Sequence, residues 1–221
     1  MQTKQQKTTN QELRDRVERQ LDWEPAVTST DIGVTADDEI VTLTGYVESY
    51  SAKLAAEKAA LGTFGVKGVA NDINVKPFTK ITDSDITATA VAALESRIDV
   101  PSKQIKVILK NSVVYLQGTV DWKYQKDAAE NAVSHLYGTT GVINKIEIVS
   151  PILTTGVKDK IEAAFLRSAE LDARRLTVTA QDGTVELWGN VRTWSEKCVA
   201  EKAAWDAPGV TKVENHVHIA P

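Results

Sequence analysis

The sequence is poor in the residues on which several common protein classes depend. Cys198 is the only cysteine among 221 residues, which excludes an intramolecular disulfide framework. No run reaches the roughly eighteen apolar residues of a transmembrane helix. The N-terminal segment MQTKQQKTTNQELRDR lacks the apolar centre of a secretory signal. We therefore expect a cytoplasmic protein if Met1 is the native start, and a periplasmic protein if the chain is a trimmed mature form.

Positive charge is in the minority. The 26 lysines and arginines face 30 aspartates and glutamates, and the net charge of −4 gives no general attraction to nucleic acid or acidic membranes. Residues 62–65 and 138–141 match the G-x-x-G pattern with which KH domains clamp phosphates. In KH domains that loop joins two helices, whereas here it is predicted to join a helix to a strand. No nucleic-acid partner is expected.

Catalytic signatures are missing from the sequence. It contains no Ser/His/Asp set, no phosphate-binding loop and no C-x-x-C motif, and the three histidines fall at unrelated positions. His216 and His218 would share one strand face, but a third ligand is not evident, so no metal site is predicted. Cys198 has no basic motif around it and is expected to be an incidental thiol. The prediction is a protein that is not an enzyme and has no cofactor.

What the sequence does contain is a pattern that occurs three times. Residues 41–47, 114–120 and 185–191 read VTLTGYV, VYLQGTV and VELWGNV. Their alternating apolar residues predict a half-buried strand with a glycine at the same place, namely Gly45, Gly118 and Gly189. The three copies align on these glycines without a gap over about sixty-five residues.

The same elements surround each glycine. Upstream, apolar triplets spaced i, i+4, i+8 predict a helix, with N-caps at Asn10, Asp83 and Thr154. A first strand follows, and polar turns at residues 37–39, 110–112 and 181–183 close a hairpin onto the glycine strand. Downstream come a second helix with a seam of small residues and a third strand reading Val-x-Asn-x-(Ile/Val).

The predicted fold class is therefore α+β. We expect three tandem α-β-β-α-β modules, each a three-stranded mixed sheet with two helices on one face. The modules are placed at residues 10–76, 83–149 and 154–220, and are called repeats 1, 2 and 3. Residues 1–9 are expected to form a frayed tail.

The recurring glycines and asparagines have a structural and a functional interpretation. For Gly45, Gly118 and Gly189 we favour close packing against the small residues of the second helix over contact with a ligand. The third-strand asparagines lie in phase with the apolar residues, so their amides should be satisfied by the backbone. These asparagines are Asn71, Asn144 and Asn215.

These motifs together resemble the BON domain. The resemblance covers three tandem copies and nearly the whole chain, although Thr139 stands where the other copies have Val66 and Val210. BON domains occur in osmotically induced periplasmic proteins, secretins, outer-membrane lipoproteins and mechanosensitive channels. The family is generally proposed to bind phospholipid, and it has no established catalytic residue. The resemblance therefore implies a membrane-associated binding module connected with envelope or osmotic stress.

The most suggestive surface segment enters the second helix of repeat 2. It contains Trp122, Lys123, Tyr124 and Lys126, and the first strand of the same repeat contributes Lys106 and Lys110 on its outward face. Counted over equivalent ranges, residues 86–148 have a net charge of +1, against −5 for residues 13–75 and −1 for residues 157–219. Aromatic residues beside lysines suit a lipid headgroup layer. The alternative is a solvated start of a helix, with Trp122 packed on a neighbouring module.

The sequence thus predicts a non-catalytic binding protein that associates peripherally with anionic phospholipid through repeat 2. The alternative is a protein–protein scaffold or self-associating stress protein that uses its exposed sheet faces and does not bind lipid. Salt should separate the two, because lysine-led membrane binding weakens as the Debye length shrinks.

Overall fold

The structure is a computed structural model that describes residues 4–76, 81–150, 156–168 and 171–220. Within these ranges the order α-β-β-α-β occurs three times, with a 3-10 turn before the first strand of each repeat. The helices are α1 (Lys4–Trp23), α2 (Tyr50–Leu61), α3 (Asp83–Glu95), α4 (Lys123–Ser134), α5 (Val157–Arg167) and α6 (Trp194–Trp205). The strands are β1 (Ile32–Asp37), β2 (Ile40–Val47), β3 (Gly68–Val75), β4 (Ile105–Lys110), β5 (Val113–Val120), β6 (Gly141–Ile148), β7 (Leu176–Gln181), β8 (Thr184–Val191) and β9 (Lys212–Ile219).

These elements form three-stranded sheets in the orders β1-β2-β3, β4-β5-β6 and β7-β8-β9. In the first sheet β1 is antiparallel and β3 parallel to the central strand β2, and the third sheet has the same arrangement around β8. A hairpin followed by a helical crossover produces this mixture, because a parallel neighbour needs a long connection. The predicted α+β class, with mixed three-stranded sheets, is confirmed.

The described chain groups into two compact units. The first comprises Met1–Ser96, Val107–Tyr115 and Asn131–Ile143, and the second comprises Arg97–Lys106, Leu116–Glu130 and Asn144–Pro221. In the first unit α1 and α2 bury apolar side chains against one face of the β1-β2-β3 sheet. In the second unit α5 and α6 do the same on the β7-β8-β9 sheet, with Phe165 and Leu187 in the centre.

Two helices begin at positions other than those predicted. Helix α1 begins at Lys4, so Asn10 is inside it and the expected frayed tail is wrong for residues 4–9, while residues 1–3 lie outside the described residues. The lysines and glutamines before Asn10 are good helix formers, which lets the helix extend. Helix α3 is capped by Thr82, whose hydroxyl accepts from the backbone N–H of Asp85, and Asp83 is its first residue. The third predicted cap, Thr154, lies outside the described residues.

The hairpin turns are confirmed and have the geometry that two-residue connections favour. Both central residues of each turn have positive φ, as in a type I′ turn, whose twist matches that of the flanking strands. The angles are 45° and 68° at Asp38 and Glu39, 51° and 61° at Asn111 and Ser112, and 49° and 77° at Asp182 and Gly183.

Each strand glycine lies against a 3-10 turn that leaves no room for a side chain. Gly45, Gly118 and Gly189 have φ of 115°, 146° and 131°, a region that side chains disfavour. A Cβ on each would lie 2.0 Å from a backbone carbonyl oxygen of the 3-10 turn before the first strand. The seam alanines, such as Ala56 and Ala60, are fully buried in the core of the same repeat. The predicted contact between the glycine and this seam stays a prediction, because the close contact found at the glycine is with the turn.

The third-strand asparagines join the second helix to the sheet. In repeat 1 the amide nitrogen of Asn71 donates to the Glu57 carboxylate at 2.9 Å and to the Lys53 carbonyl oxygen at 3.3 Å. Its Oδ1 accepts from the Ile73 N–H at 3.3 Å. Asn144 with Glu130 and Asn215 with Glu201 repeat the amide–carboxylate bond, each at 3.0 Å. The expected backbone partners are present, as at the Lys53 and Lys126 carbonyl oxygens, whereas the recurring glutamate was missed.

The glycine contact generates a stability prediction. Gly45→Ala should lower the free energy of unfolding by roughly 2–5 kcal/mol, because the new methyl group meets the Asp31 carbonyl oxygen and the φ is left-handed. Gly68→Ala in β3 is the matched control, since nothing lies within 4 Å of a Cβ there. Urea denaturation monitored by circular dichroism measures both, and equal effects would contradict the interpretation.

Candidate functional site

One end of repeat 2 gathers several segments of the second compact unit. The carbonyl oxygen of Gln104 lies against Gly118, so the turn after α3 covers the end of β5. The N–H of Val149 donates to the Val120 carbonyl oxygen at 2.8 Å, which brings the chain after β6 to the same place. We call residues 97–104, 119–126 and 149 the repeat 2 tip.

Helix α4 begins at this tip in an unusual way. In repeats 1 and 3 the residue before the second helix is Ser49 or Thr193, and its hydroxyl accepts a backbone N–H of the first turn. Trp122 occupies the equivalent position in repeat 2 and has no side-chain acceptor. The Oε1 of Gln125 accepts from the N–H groups of Asp121 at 3.0 Å and Trp122 at 3.1 Å, as Glu196 accepts from the N–H of Arg192 in repeat 3. Repeat 2 thus has a large aromatic residue at the cap position, and the Gln125 side chain binds the backbone just before α4.

The tip exposes apolar side chains. Ile98 is fully exposed, and Tyr124 and Val149 are each 56 % exposed. Trp122 is only half-buried by its surroundings, so both aromatic side chains of the motif reach the surface. A fully exposed isoleucine gains nothing from folding, which makes it a candidate for contact with another apolar phase.

The corresponding region of the other repeats also carries an exposed apolar side chain. Trp23 ends α1 and is 82 % exposed, and Leu166 near the end of α5 is 76 % exposed. Ile98 was not among the residues predicted from the sequence. It follows Leu94 by four residues, which is core spacing, but α3 ends at Glu95 and the side chain leaves the buried stripe. The exposure of Ile98 could not be predicted, because the spacing of apolar residues does not show where a helix ends.

Ion pairs within the protein determine which lysines and arginines of the tip have a charge left for binding a ligand. Arg97 is bonded to Asp99 at 2.7 Å, and this bond raises the pKa of Arg97 and lowers the pKa of Asp99. Lys123 pairs with Asp127, and its ammonium lies 5.6 Å from the ring centroid of Trp205 in α6. Within the described residues, Lys103 and Lys126 have no such carboxylate partner. Lys103 is exposed and Lys126 half-buried, so these are the cations of the tip whose charge is not compensated by a carboxylate.

The two strand lysines occupy different positions relative to the tip. Lys106 and Lys110 are exposed on the face of β4 opposite to the buried Ile105. Lys106 lies at the start of the strand, beside the tip. Lys110 adjoins the hairpin turn, roughly 13 Å further along the strand. Lys106 therefore belongs to the same compact unit as Trp122, Lys123, Tyr124 and Lys126, whereas Lys110 belongs to the other unit.

Two further kinds of site are absent from the described residues. Across these ranges, no group of three or more His, Cys, Asp or Glu side chains is arranged to hold a metal ion. No helix in the same part of the chain has the length and apolar character needed to cross a bilayer.

Comparison with known proteins agrees with this architecture. The sequence pattern of the BON domain matches three times, at residues 9–77, 82–150 and 154–221. The chain belongs to the BON domain family. A relative of this BON protein is osmotically-inducible protein Y of Escherichia coli K12, which is 35% identical over 127 residues. That alignment covers 55% of this chain and 63% of the relative's length.

Solved structures resemble the BON protein only weakly. CdsD, a structural protein of the type III secretion system of Chlamydia trachomatis, is 15% identical with a TM-score of 0.27 over 95% of this chain and 93% of its own. The PrgH periplasmic domain is 10% identical with a TM-score of 0.21 over 86% of this chain and 95% of its own.

The unusual helix start gives a second prediction. Gln125→Ala should lower the free energy of unfolding by about 1 kcal/mol, because two backbone N–H groups lose their acceptor. Asn131→Ala, an exposed change further along α4, is the control and should be neutral. Thermal and urea melts of both variants test this, and an unchanged Gln125→Ala protein would show that the side-chain cap is not needed.

Proposed function

We propose that this BON protein is a non-catalytic binding protein that associates peripherally with anionic phospholipid through the repeat 2 tip, in connection with osmotic stress. The observation that carries the proposal is the exposure of Ile98, Tyr124 and Val149 beside cations without a carboxylate partner. The relationship to an osmotically inducible protein supports the connection with osmotic stress.

The tip combines the two interactions that a membrane surface offers. Apolar side chains gain free energy on leaving water for the interfacial region, at about 25 cal/mol per Å² of buried apolar surface. Lysines near anionic headgroups each contribute about 1 kcal/mol. Lys103 and Lys126 supply this charge directly, and Lys106 lies at the margin. Tyr124 is amphipathic, so its ring can enter the interface while its hydroxyl remains in water.

The ion pairs of the tip change which lysines are expected to bind anionic lipid. Lys123 is bound to Asp127 and lies beside Trp205, so its charge is largely compensated within the protein. Binding to lipid through Lys123 would require breaking that pair. We therefore assign Lys103 and Lys126 the main electrostatic role, and Lys123 a role in positioning the start of α4.

Co-sedimentation with liposomes tests the proposal. The wild-type chain should pellet with vesicles containing anionic lipid at low salt, less at physiological salt, and not with neutral vesicles. Lys103→Glu/Lys126→Glu should weaken anionic binding about 30-fold or more, since two contributions of about 1 kcal/mol are lost and reversed. Ile98→Ser/Tyr124→Ser should weaken it with little change in salt dependence.

The control reverses the same number of charges elsewhere. Lys110→Glu/Lys160→Glu places the substitutions at the hairpin turn of repeat 2 and the start of α5, outside the residues that form the tip. This variant should retain binding. Equal loss in both charge-reversal variants would indicate attraction by net charge alone. The absence of pelleting under every condition would reject lipid association and favour the scaffold alternative, which light scattering then tests.

A further inference from the structure

An aromatic side chain stands on the open sheet face of repeat 3. Trp188 in β8 is 45 % exposed and stacks on His216 of the neighbouring strand, with ring centroids 4.1 Å apart and planes 21° apart. The two residues are direct partners in the parallel register of β8 and β9. On the other side, Trp188 is opposite Thr177 of β7, a small exposed residue. One face of the indole is therefore covered, and a small side chain flanks the other.

A carboxylate is held beside this ring. The Oε2 of Glu186 accepts from the indole N–H of Trp188 at 3.3 Å and from the hydroxyl of Thr179 at 3.2 Å. Both donors are neutral. In the described part of the chain no cation lies within ion-pair distance of Glu186. The carboxylate is thus fixed in position while its negative charge is left uncompensated.

The second carboxylate of this face differs in that respect. Glu214 accepts from Lys212 at 2.5 Å and lies 3.6 Å from the His216 ring. The hydrogen bond from Lys212 lowers the pKa of Glu214, and its charge is neutralised locally. The two carboxylates therefore provide an internal comparison, one compensated and one not.

This arrangement is confined to repeat 3. Positions equivalent to Trp188 hold Thr44 and Gln117, and those equivalent to Glu186 hold Thr42 and Tyr115. A residue set that the fold does not require in the other copies is a candidate for a specific interaction.

We propose that the Trp188–Glu186 face of repeat 3 is a docking surface for an arginine-bearing extended polypeptide segment. A guanidinium is planar, stacks on an indole and donates to a carboxylate, whereas an ammonium is a strongly hydrated point charge. The uncompensated charge of Glu186 matches the guanidinium. This interaction is independent of the lipid association assigned to repeat 2.

The position of the site on the sheet supports a peptide partner. β7 is an edge strand of the β7-β8-β9 sheet. An extended segment that pairs with an edge strand directs alternate side chains over one sheet face. An arginine placed there reaches across Thr177 to the indole and to Glu186. Backbone hydrogen bonds between the segment and β7 supply affinity, and the arginine supplies specificity.

Nuclear magnetic resonance of the full chain with ¹⁵N-labelled tryptophan tests the proposal. The probe is a blocked pentapeptide of alternating threonine and arginine, and the comparison peptide contains lysine instead. The indole N–H signal of Trp188, assigned from Trp188→Gln, should shift saturably. The arginine peptide should bind at least about threefold more tightly than the lysine peptide, because only the guanidinium can stack and donate in parallel.

Matched variants separate a specific site from general acidity. Glu186→Gln should weaken binding at least about fivefold, because it removes the charge-assisted hydrogen bond. Glu214→Gln should change it less than about twofold, because that carboxylate is already paired. Equal losses, equal affinity for the two peptides, tighter binding of phosphocholine, or no shift at millimolar peptide would each overturn the proposal.

Discussion

The architecture depends on a close approach between a 3-10 turn and the central strand of each sheet. The carbonyl oxygen of Asp31, Gln104 or Arg175 occupies the space that a Cβ would need at the opposing glycine. Because the turn sits over the end of that strand, the chain before the first strand, the start of the second helix and the end of the third strand meet at one end of the repeat. The repeat 2 tip is built at such an end, so a packing constraint determines where exposed side chains are presented.

Much of the fold could be predicted from the sequence because its signals are local and occur three times. Strand alternation, helical spacing and turn residues each depend on neighbouring positions, and the sheets formed as these patterns indicated. The contact of Gly45 with Asp31 was not predictable, since the turn carries no recognisable motif. The Asn71–Glu57 bond was missed for another reason. The glutamate recurs in each copy, but it lies among small residues that were interpreted as a packing seam.

The candidate site was less predictable because it depends on exposure. The motif Trp122–Lys126 was visible in the sequence, whereas Ile98 had the spacing of a core residue and Lys123 looked like a free cation. Exposure follows from where α3 ends, and the availability of a charge follows from which carboxylate lies nearby. Both are properties of side chains that sequence alone does not locate.

The repeats separate residues that maintain the fold from residues that serve one copy. The glycine, the asparagine and its glutamate recur, and all make contacts inside the repeat. Trp122 and Trp188 do not recur, and both lie on the surface. Trp122 replaces the hydroxyl cap found in the other repeats, so this position has a half-buried aromatic ring in place of a local hydrogen bond. Because Gln125 accepts from the N–H groups of Asp121 and Trp122, the chain just before α4 is still held by a side chain although the hydroxyl cap is absent.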